Sequence, residues 1–263
     1  MSFAANASGF PSNIVDRVSV NAFADIQSAY YARGAIVDKH PFSAQFVNAE
    51  ISLVDGFSVG AYAWSVSSTS QSGQSARRRY AYNEVDYNLY GSYRLELHED
   101  WTLCNRMALQ WVTLGGYDPH ANTVFEWHAA QSLENPYATP YYLLRRAYDQ
   151  VQWCYWQVGL RRAFALTDEV SLTLDCFGDL GDDRHFTSQY GPRPGGGSYG
   201  HGLMALNLMA RVDWKLTEYL GLYAFVHRFD IVSSSGRDAV SAADKPESVK
   251  DLFIGGVGAS LSF

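Results

Sequence analysis

Residues 252–263, LFIGGVGASLSF, constrain this chain more than any other stretch. Phe253, Gly255, Val257, Ala259, Leu261 and Phe263 alternate with Ile254, Gly256, Gly258, Ser260 and Ser262. A period of two means a strand with one face in an apolar medium and the other in a polar or crowded one. A core strand closing a soluble sandwich could read the same way. The rest of the chain separates the two cases.

Aromatic spacing supplies a ruler. On the parity read as outward, Phe253 and Phe263 are ten residues apart, as are Trp101 and Trp111, and Tyr219 and Phe229. Ten residues at roughly 3.3 Å each, tilted by about 40°, climb roughly 25 Å, the height of the apolar band on a membrane barrel. Aromatics at both ends of that span, with Trp214 among them, would form two interfacial girdles. Phe263 should lie at the periplasmic interface, level with Trp101, Trp214 and Tyr219.

Composition agrees. Mean hydropathy is −0.18 although 47% of residues are apolar. No run of eighteen apolar residues occurs, which rules out a helical membrane protein. A barrel escapes that test because each strand dilutes its apolar half with a polar half. The net charge of −7 argues against nucleic acid as a partner, since phosphate binding needs a basic surface. Cys104, Cys154 and Cys176 lie in separate strands without a C-x-x-C motif, which argues against a disulfide framework or a zinc site. Nothing in the sequence calls for a cofactor or a metal. No signal peptide is visible after Met1, so an exported protein would be represented here by its mature form with an added Met.

Alternation predicts about twelve strands, near residues 17–33, 43–54, 56–67, 79–97, 101–113, 121–132, 138–147, 151–166, 168–181, 201–216, 218–232 and 251–263. Their connections alternate in length. VDG (54–56), HED (98–100), LENPYA (133–138), LTD (166–168) and LTE (216–218) are short, whereas the intervening loops are long and rich in Gly, Ser, Pro and charge. That segregation predicts an all-β, up-and-down antiparallel transmembrane barrel, with turns periplasmic and loops outside. Residues 1–16 are too short and polar to be a plug or passenger, leaving 17–263 as the barrel. GPRPGGGSYGHG (191–202) lacks the Lys and Ser/Thr of a phosphate-binding loop and reads as an extracellular loop. The triplet Arg77, Arg78, Arg79 could contact lipopolysaccharide phosphates or simply be a solvated loop.

Parity sorts the charges inward. Asp25, Arg33, Glu50, Glu84, Asp86, Arg106, Glu126, Arg161, Asp175, Arg211, Asp213, Arg228 and Asp230 all fall on the face read as lumen-lining. A charge facing the bilayer midplane costs roughly 2–4 kcal/mol, so such sorting is required of a barrel. Arg162 and His227 are the exceptions, read as outward near strand ends where long side chains snorkel. Opposed charges across a narrow lumen set a transverse field for small solutes, giving a diffusion pore. The same charges could instead pair across the interior and seal it.

The residues also reach a family. SAYYARG (28–34), GFSVGAYAWSV (56–66), NEVDYNLYGSY (83–93) and FEWHAAQSLENP (125–136) resemble, in order and spacing, the amino-terminal half of the TorF-like family of small outer-membrane porins. That resemblance implies a twelve-stranded barrel with passive transport, and Arg33, Glu84, Asp86 and Glu126 as shared inward positions. The strand ending at Phe263 resembles the closing strand of bacterial outer-membrane barrels, whose final aromatic is read by the barrel-assembly machinery. The implied partners are the lipid bilayer, lipopolysaccharide, that machinery and small solutes, and the implied location is the bacterial outer membrane.

Two enzymatic alternatives follow from the same barrel. A lipid hydrolase needs a Ser/His pair at the outer lipid boundary, for which His227 is the candidate His. An omptin-like protease needs an acidic pair opposite a His–Asp pair, with Glu84 and Asp86 facing Asp182, Asp183 or His185. Neither constellation is tight, and the reading is a channel rather than an enzyme. A sealed structural or adhesive barrel is the remaining alternative.

Overall fold

Twelve strands close on themselves in the computed structural model, which describes residues 18–68, 83–115, 123–148, 152–190, 193, 195–242 and 249–263. Residues 1–16 and Arg77 to Arg79 lie outside the described residues. The wall begins with β1 (Val18–Gln27) and, after an insertion, β4 (Phe42–Val54), β5 (Phe57–Ser68), β6 (Asn83–His98) and β7 (Trp101–Gly115). It continues with β8 (Thr123–Glu134), β9 (Thr139–Ala147), β10 (Cys154–Ala165) and β11 (Val170–Gly181). It ends with β12 (Gly202–Lys215), β13 (Leu220–Ile231) and β14 (Asp251–Ser262). Neighbours in sequence are neighbours in the wall, all antiparallel, and β14 returns to β1 with Ala24 opposite Ala259 and Ile26 opposite Val257. Closure leaves no open edge strand in the wall, which is what allows strands to cross a hydrocarbon layer.

Short connections gather at one end of the barrel, here the turn end. Thr167 and Thr217 shape two of them identically. The Thr167 hydroxyl accepts from the amides of Glu169 (3.2 Å) and Val170 (3.0 Å), and the Thr217 hydroxyl from Tyr219 (3.2 Å) and Leu220 (3.0 Å). Such hydroxyl-to-backbone bonds fix a tight turn without needing glycine. Phe263 sits at this end. Its amide and carbonyl pair with Val20 at 2.8 and 3.0 Å, and its ring stacks on Tyr219 with centroids 5.5 Å apart.

Among the described residues the loop end carries three inserted elements. β2 (Tyr30–Ala32) and β3 (Ala35–Asp38) form a separate hairpin between β1 and β4, so the first barrel strand stops at Gln27 instead of running to residue 33. α1 (Asp183–Tyr190) follows β11, and α2 (Ser234–Ala242) follows β13. Asp182 starts α1: its Oδ1 accepts from the His185 amide at 2.7 Å and its Oδ2 from the Cys154 amide at 3.0 Å. That bond satisfies an orphan donor of the first turn and ties the helix to β10. Hairpin and helices share one buried apolar cluster, in which Ala29, Ala35, Ile36, Phe186 and Val240 pack on Met204, Phe229, Ile231 and Ile254 of the wall.

Candidate functional site

Inside the barrel the hairpin covers the loop-end half of the wall, whereas the turn-end half, the vestibule, carries charged side chains on its inward parity. Arg33 and Gly34 form its two-residue turn with φ of 51° and 81°. Positive φ at both central residues is the hairpin turn that matches strand twist, and it costs a non-glycine residue about 1 kcal/mol. Ion pairs hold Arg33 there: its guanidinium lies 3.0 Å from Glu126 on β8 and 3.6 Å from Glu84 on β6. Its carbonyl accepts from His185 Nε2 of α1 at 2.8 Å. Burial alone would lower the Arg33 pKa, but Glu126 and Glu84 hold it well above the ordinary arginine value.

Hydrogen bonds pin the rest of the hairpin. Tyr30 donates to Glu84 Oε2 at 3.2 Å. Tyr31 and Tyr155 both donate to Asp179, which also accepts from Asn207 at 2.6 Å. Asp86 accepts from Gln110, and His128 lies 3.0 Å from Glu126. Glu84, Glu126 and Asp179 are fully buried beneath this insertion.

In the vestibule one arrangement recurs three times. Tyr90 on β6, Tyr141 on β9 and Tyr223 on β13 each lay a ring over the glycine opposite on the next strand: Gly60, Gly159 and Gly258. A Cβ at any of these glycines would collide with the ring. Each hydroxyl then reaches a carboxylate, Glu50 at 2.9 Å, Asp175 at 2.9 Å and Asp25 at 2.7 Å. Each ring carries a guanidinium: Arg106 at 4.4 Å from the Tyr90 centroid, Arg161 at 5.1 Å from Tyr141 and Arg211 at 3.9 Å from Tyr223. Arg161 also donates twice to Asp175, at 2.8 and 2.6 Å, and Arg211 pairs with Asp213 at 2.5 Å. Cation on ring, ring on backbone and hydroxyl on carboxylate fix each charge in place.

The structure sorts the residues read from the sequence as follows. Glu50, Arg106, Arg161, Arg211 and Asp213 face inward on the turn-end half of the wall, as do Asp25 and Asp175, whose carboxylates are buried against Tyr223 and Tyr141. Glu84, Asp86 and Glu126 face inward but lie under the hairpin. Arg33 is not on the wall at all; it is the tip of the hairpin, because the alternation of SAYYARG continues through a turn that parity counting reads as strand.

On β13 the sequence reading is inverted. Leu222, Ala224 and Val226 are exposed outward while Tyr223, His227 and Phe229 are buried inward. Phe229 therefore belongs to the apolar cluster beneath Tyr31 and to no girdle. His227 faces the lumen, 2.8 Å from Asn207. Arg228 and Asp230 lie on the outer rim at the loop end, where Arg228 pairs with Asp230 (3.8 Å) and Asp251 (3.7 Å) over the ring of Phe253. The physical reason is the turn. Tyr219 sits inside the Thr217 turn, where alternation does not hold, and counting ten residues on from it lands on the wrong face.

Trp101 and Trp111 share the outward parity of β7; Trp214, Tyr219, Phe253 and Phe263 are exposed on the outside. Trp111 packs on Phe125 and Phe125 on Tyr148, an outer aromatic cluster at the loop end. Sequence reasoning missed the inward aromatics Phe23, Phe46, Tyr62 and Trp64, which stack together in the lumen. It also missed the tyrosine–glycine pairs, whose only sequence signal is a glycine on the inward parity of β5, β10 and β14.

Neither a family model nor a curated protein matches the sequence. Solved structures do. An outer-membrane channel from Pseudomonas putida F1 is 12% identical, covers 100% of both chains and gives a TM-score of 0.58. The KdgM porin in complex with disordered oligogalacturonate is 8% identical over 93% of this chain and 99% of its own, with a TM-score of 0.51. An outer-membrane phospholipase dimer from Salmonella typhi with bound calcium is 12% identical over 92% of this chain and 90% of its own, also at 0.51. Channels and an enzyme share this architecture, so the chain is similar to outer-membrane barrels in its fold, and its function has to be argued from its own lumen.

Proposed function

We propose that this protein is an outer-membrane channel for passive diffusion of small hydrophilic solutes, with its turn end periplasmic and its hairpin closing the extracellular half of the lumen at rest. The observation that carries the reading is Arg161. Its guanidinium lies inside the barrel, stacked and ion-paired, yet 44% of its side chain stays exposed. An inward side chain with that exposure touches lumen water, and oriented charges in confined water are how a pore selects what passes. Arg106 stands with Glu50 over Tyr90, and Arg211 with Asp25 over Tyr223, so the charges that would act on a passing solute are held in fixed acid–base sets on the inner wall.

The motifs shared with the TorF-like porins support that family as the finer reading. Assembly through the strand ending at Phe263, and lipopolysaccharide at the outer rim, belong to the same proposal. The hydrolase alternative needs His227 on the lipid face, whereas His227 is enclosed beside Asn207. The omptin-like alternative needs Glu84, Asp86 and His185 open at the mouth, whereas all three are buried by the hairpin and α1.

One observation favours a second reading, the sealed barrel: Glu126, fully buried, locks Arg33 across the lumen. Swelling of proteoliposomes in sugars of graded size separates the two. A channel admits small sugars and excludes large ones. No swelling with any sugar means a sealed barrel.

A further inference from the structure

The lipid-facing wall carries a polar pair that no lipid chain can satisfy. Asn105 on β7 and Gln131 on β8 share the outward parity of Met107, Leu109 and Trp127. Gln131 Nε2 donates to Asn105 Oδ1 at 2.6 Å, and among the described residues neither side chain makes another hydrogen bond, although the register sets Tyr93 opposite Asn105 and Tyr142 opposite Gln131 on the same face. The Asn105 amide nitrogen and the Gln131 oxygen are left to the medium. Asn105 lies four residues from Trp101 and six from Trp111, so it stands about 10 Å above one girdle, inside the apolar band. Polar groups at that depth are costly unless another protein surface meets them.

A hollow of about 640 Å³ lies beside the pair on the same outer face. Its floor is small (Ala49, Ala61 and Gly91), and its rim is Leu89, Met107 and Trp127. Small residues let two surfaces approach closely, and Met107, 58% exposed, is an unbranched chain suited to filling a neighbour's gap.

We propose that this face, Asn105 and Gln131 with the adjoining hollow, is a dimer interface between two copies of the chain. Copies inserted in one membrane share an orientation, so the axis relating them runs along the membrane normal and the same patch meets itself. A second copy brings both things the face lacks: side chains to fill the hollow, and an amide pair whose free donor and acceptor complement the first. An acyl chain could fill the hollow but offers no hydrogen bond at that depth.

The test is association in liposomes, followed by energy transfer between donor- and acceptor-labelled copies as lipid is added. The wild-type protein is expected to show transfer well above random mixing at high dilution. Asn105→Leu with Gln131→Leu should weaken association about tenfold or more, the size expected when two hydrogen bonds are lost in lipid. Ala61→Trp, which fills the hollow from within one copy, should do the same, while Leu208→Ala on the β12 face should not. Heat-modifiable mobility on a denaturing gel confirms that each variant is folded. Transfer equal to random mixing in the wild type, the result if lipid alone occupies the hollow, overturns the proposal. So does undiminished association of the double leucine variant.

Discussion

Arg33 and Glu126, 93 residues apart in sequence, meet at 3.0 Å inside the loop-end half of the barrel, the arginine from a hairpin tip and the glutamate from β8 of the wall. Removing one partner of a buried pair leaves an uncompensated charge, at a cost of roughly 3–5 kcal/mol. Arg33→Ala should therefore undock the hairpin without unfolding the wall. Amide exchange over residues 30–37 should rise strongly while exchange in β10 to β13 stays as it was. Unchanged protection of the hairpin would show that Tyr30 and Tyr31 hold it unaided.

Acid should loosen the same assembly. Burial pushes the His185 pKa down from 6.5 to about 4, so the folded protein holds the ring neutral, with Nε2 donating to the Arg33 carbonyl. Between those values the undocked state binds a proton that the docked state refuses. Docking stability is therefore fully present above about pH 6.5 and is lost as the pH falls toward 4, by about 3 kcal/mol across the window. Exchange of residues 183–190, corrected for intrinsic rates, should increase between pH 7 and pH 5. His185→Gln, which cannot gain the proton, should lose that dependence.

Vestibule charges should set ion selectivity more than loop charges do. Arg106→Glu and Arg161→Glu should shift reversal potentials in a salt gradient toward cations, and Arg77→Glu, outside the described residues and read from the sequence as loop, should do so only weakly. Charges in confined water act over a few ångströms, whereas exposed loop charges are screened beyond about 8–10 Å. Equal shifts from all three would contradict the lumen described here.

Phe263 stacks on Tyr219 while its backbone pairs with Val20. Phe263→Ala removes the ring and keeps the pairing. Surface levels in cells should fall severalfold, and the melting temperature of protein refolded in detergent should change little. A normal surface level would mean the ring is a girdle residue and carries no assembly signal.

How far the sequence was legible follows from where alternation is informative. The strand ending at Phe263 was readable because one parity is apolar and the other is glycine and serine; its pairing with β1 follows from closure. β13 was not, since Leu222, Ala224 and Val226 on one parity and Tyr223, Phe225 and Phe229 on the other are all apolar. Its inner face is apolar because it packs on the hairpin, a tertiary reason that a local pattern does not carry. Arg33 was found as an inward charge but misplaced, as Tyr30 to Ala32 alternate like strand and the turn at Arg33–Gly34 interrupts them by only two residues. The three tyrosine–arginine–carboxylate sets needed the register between strands, which pairs Tyr90 with Gly60, Tyr141 with Gly159 and Tyr223 with Gly258.

The central claim is that a conducting barrel is closed by its own hairpin, and single-channel recording in planar bilayers tests it most directly. Wild-type protein should show brief openings from a closed baseline. Arg33→Ala should open for longer, and a variant with residues 30–37 replaced by a short Gly–Ser linker should stay open at a larger conductance. A wild-type protein that never conducts at any voltage, or a hairpin replacement with the same openings as wild type, would contradict it.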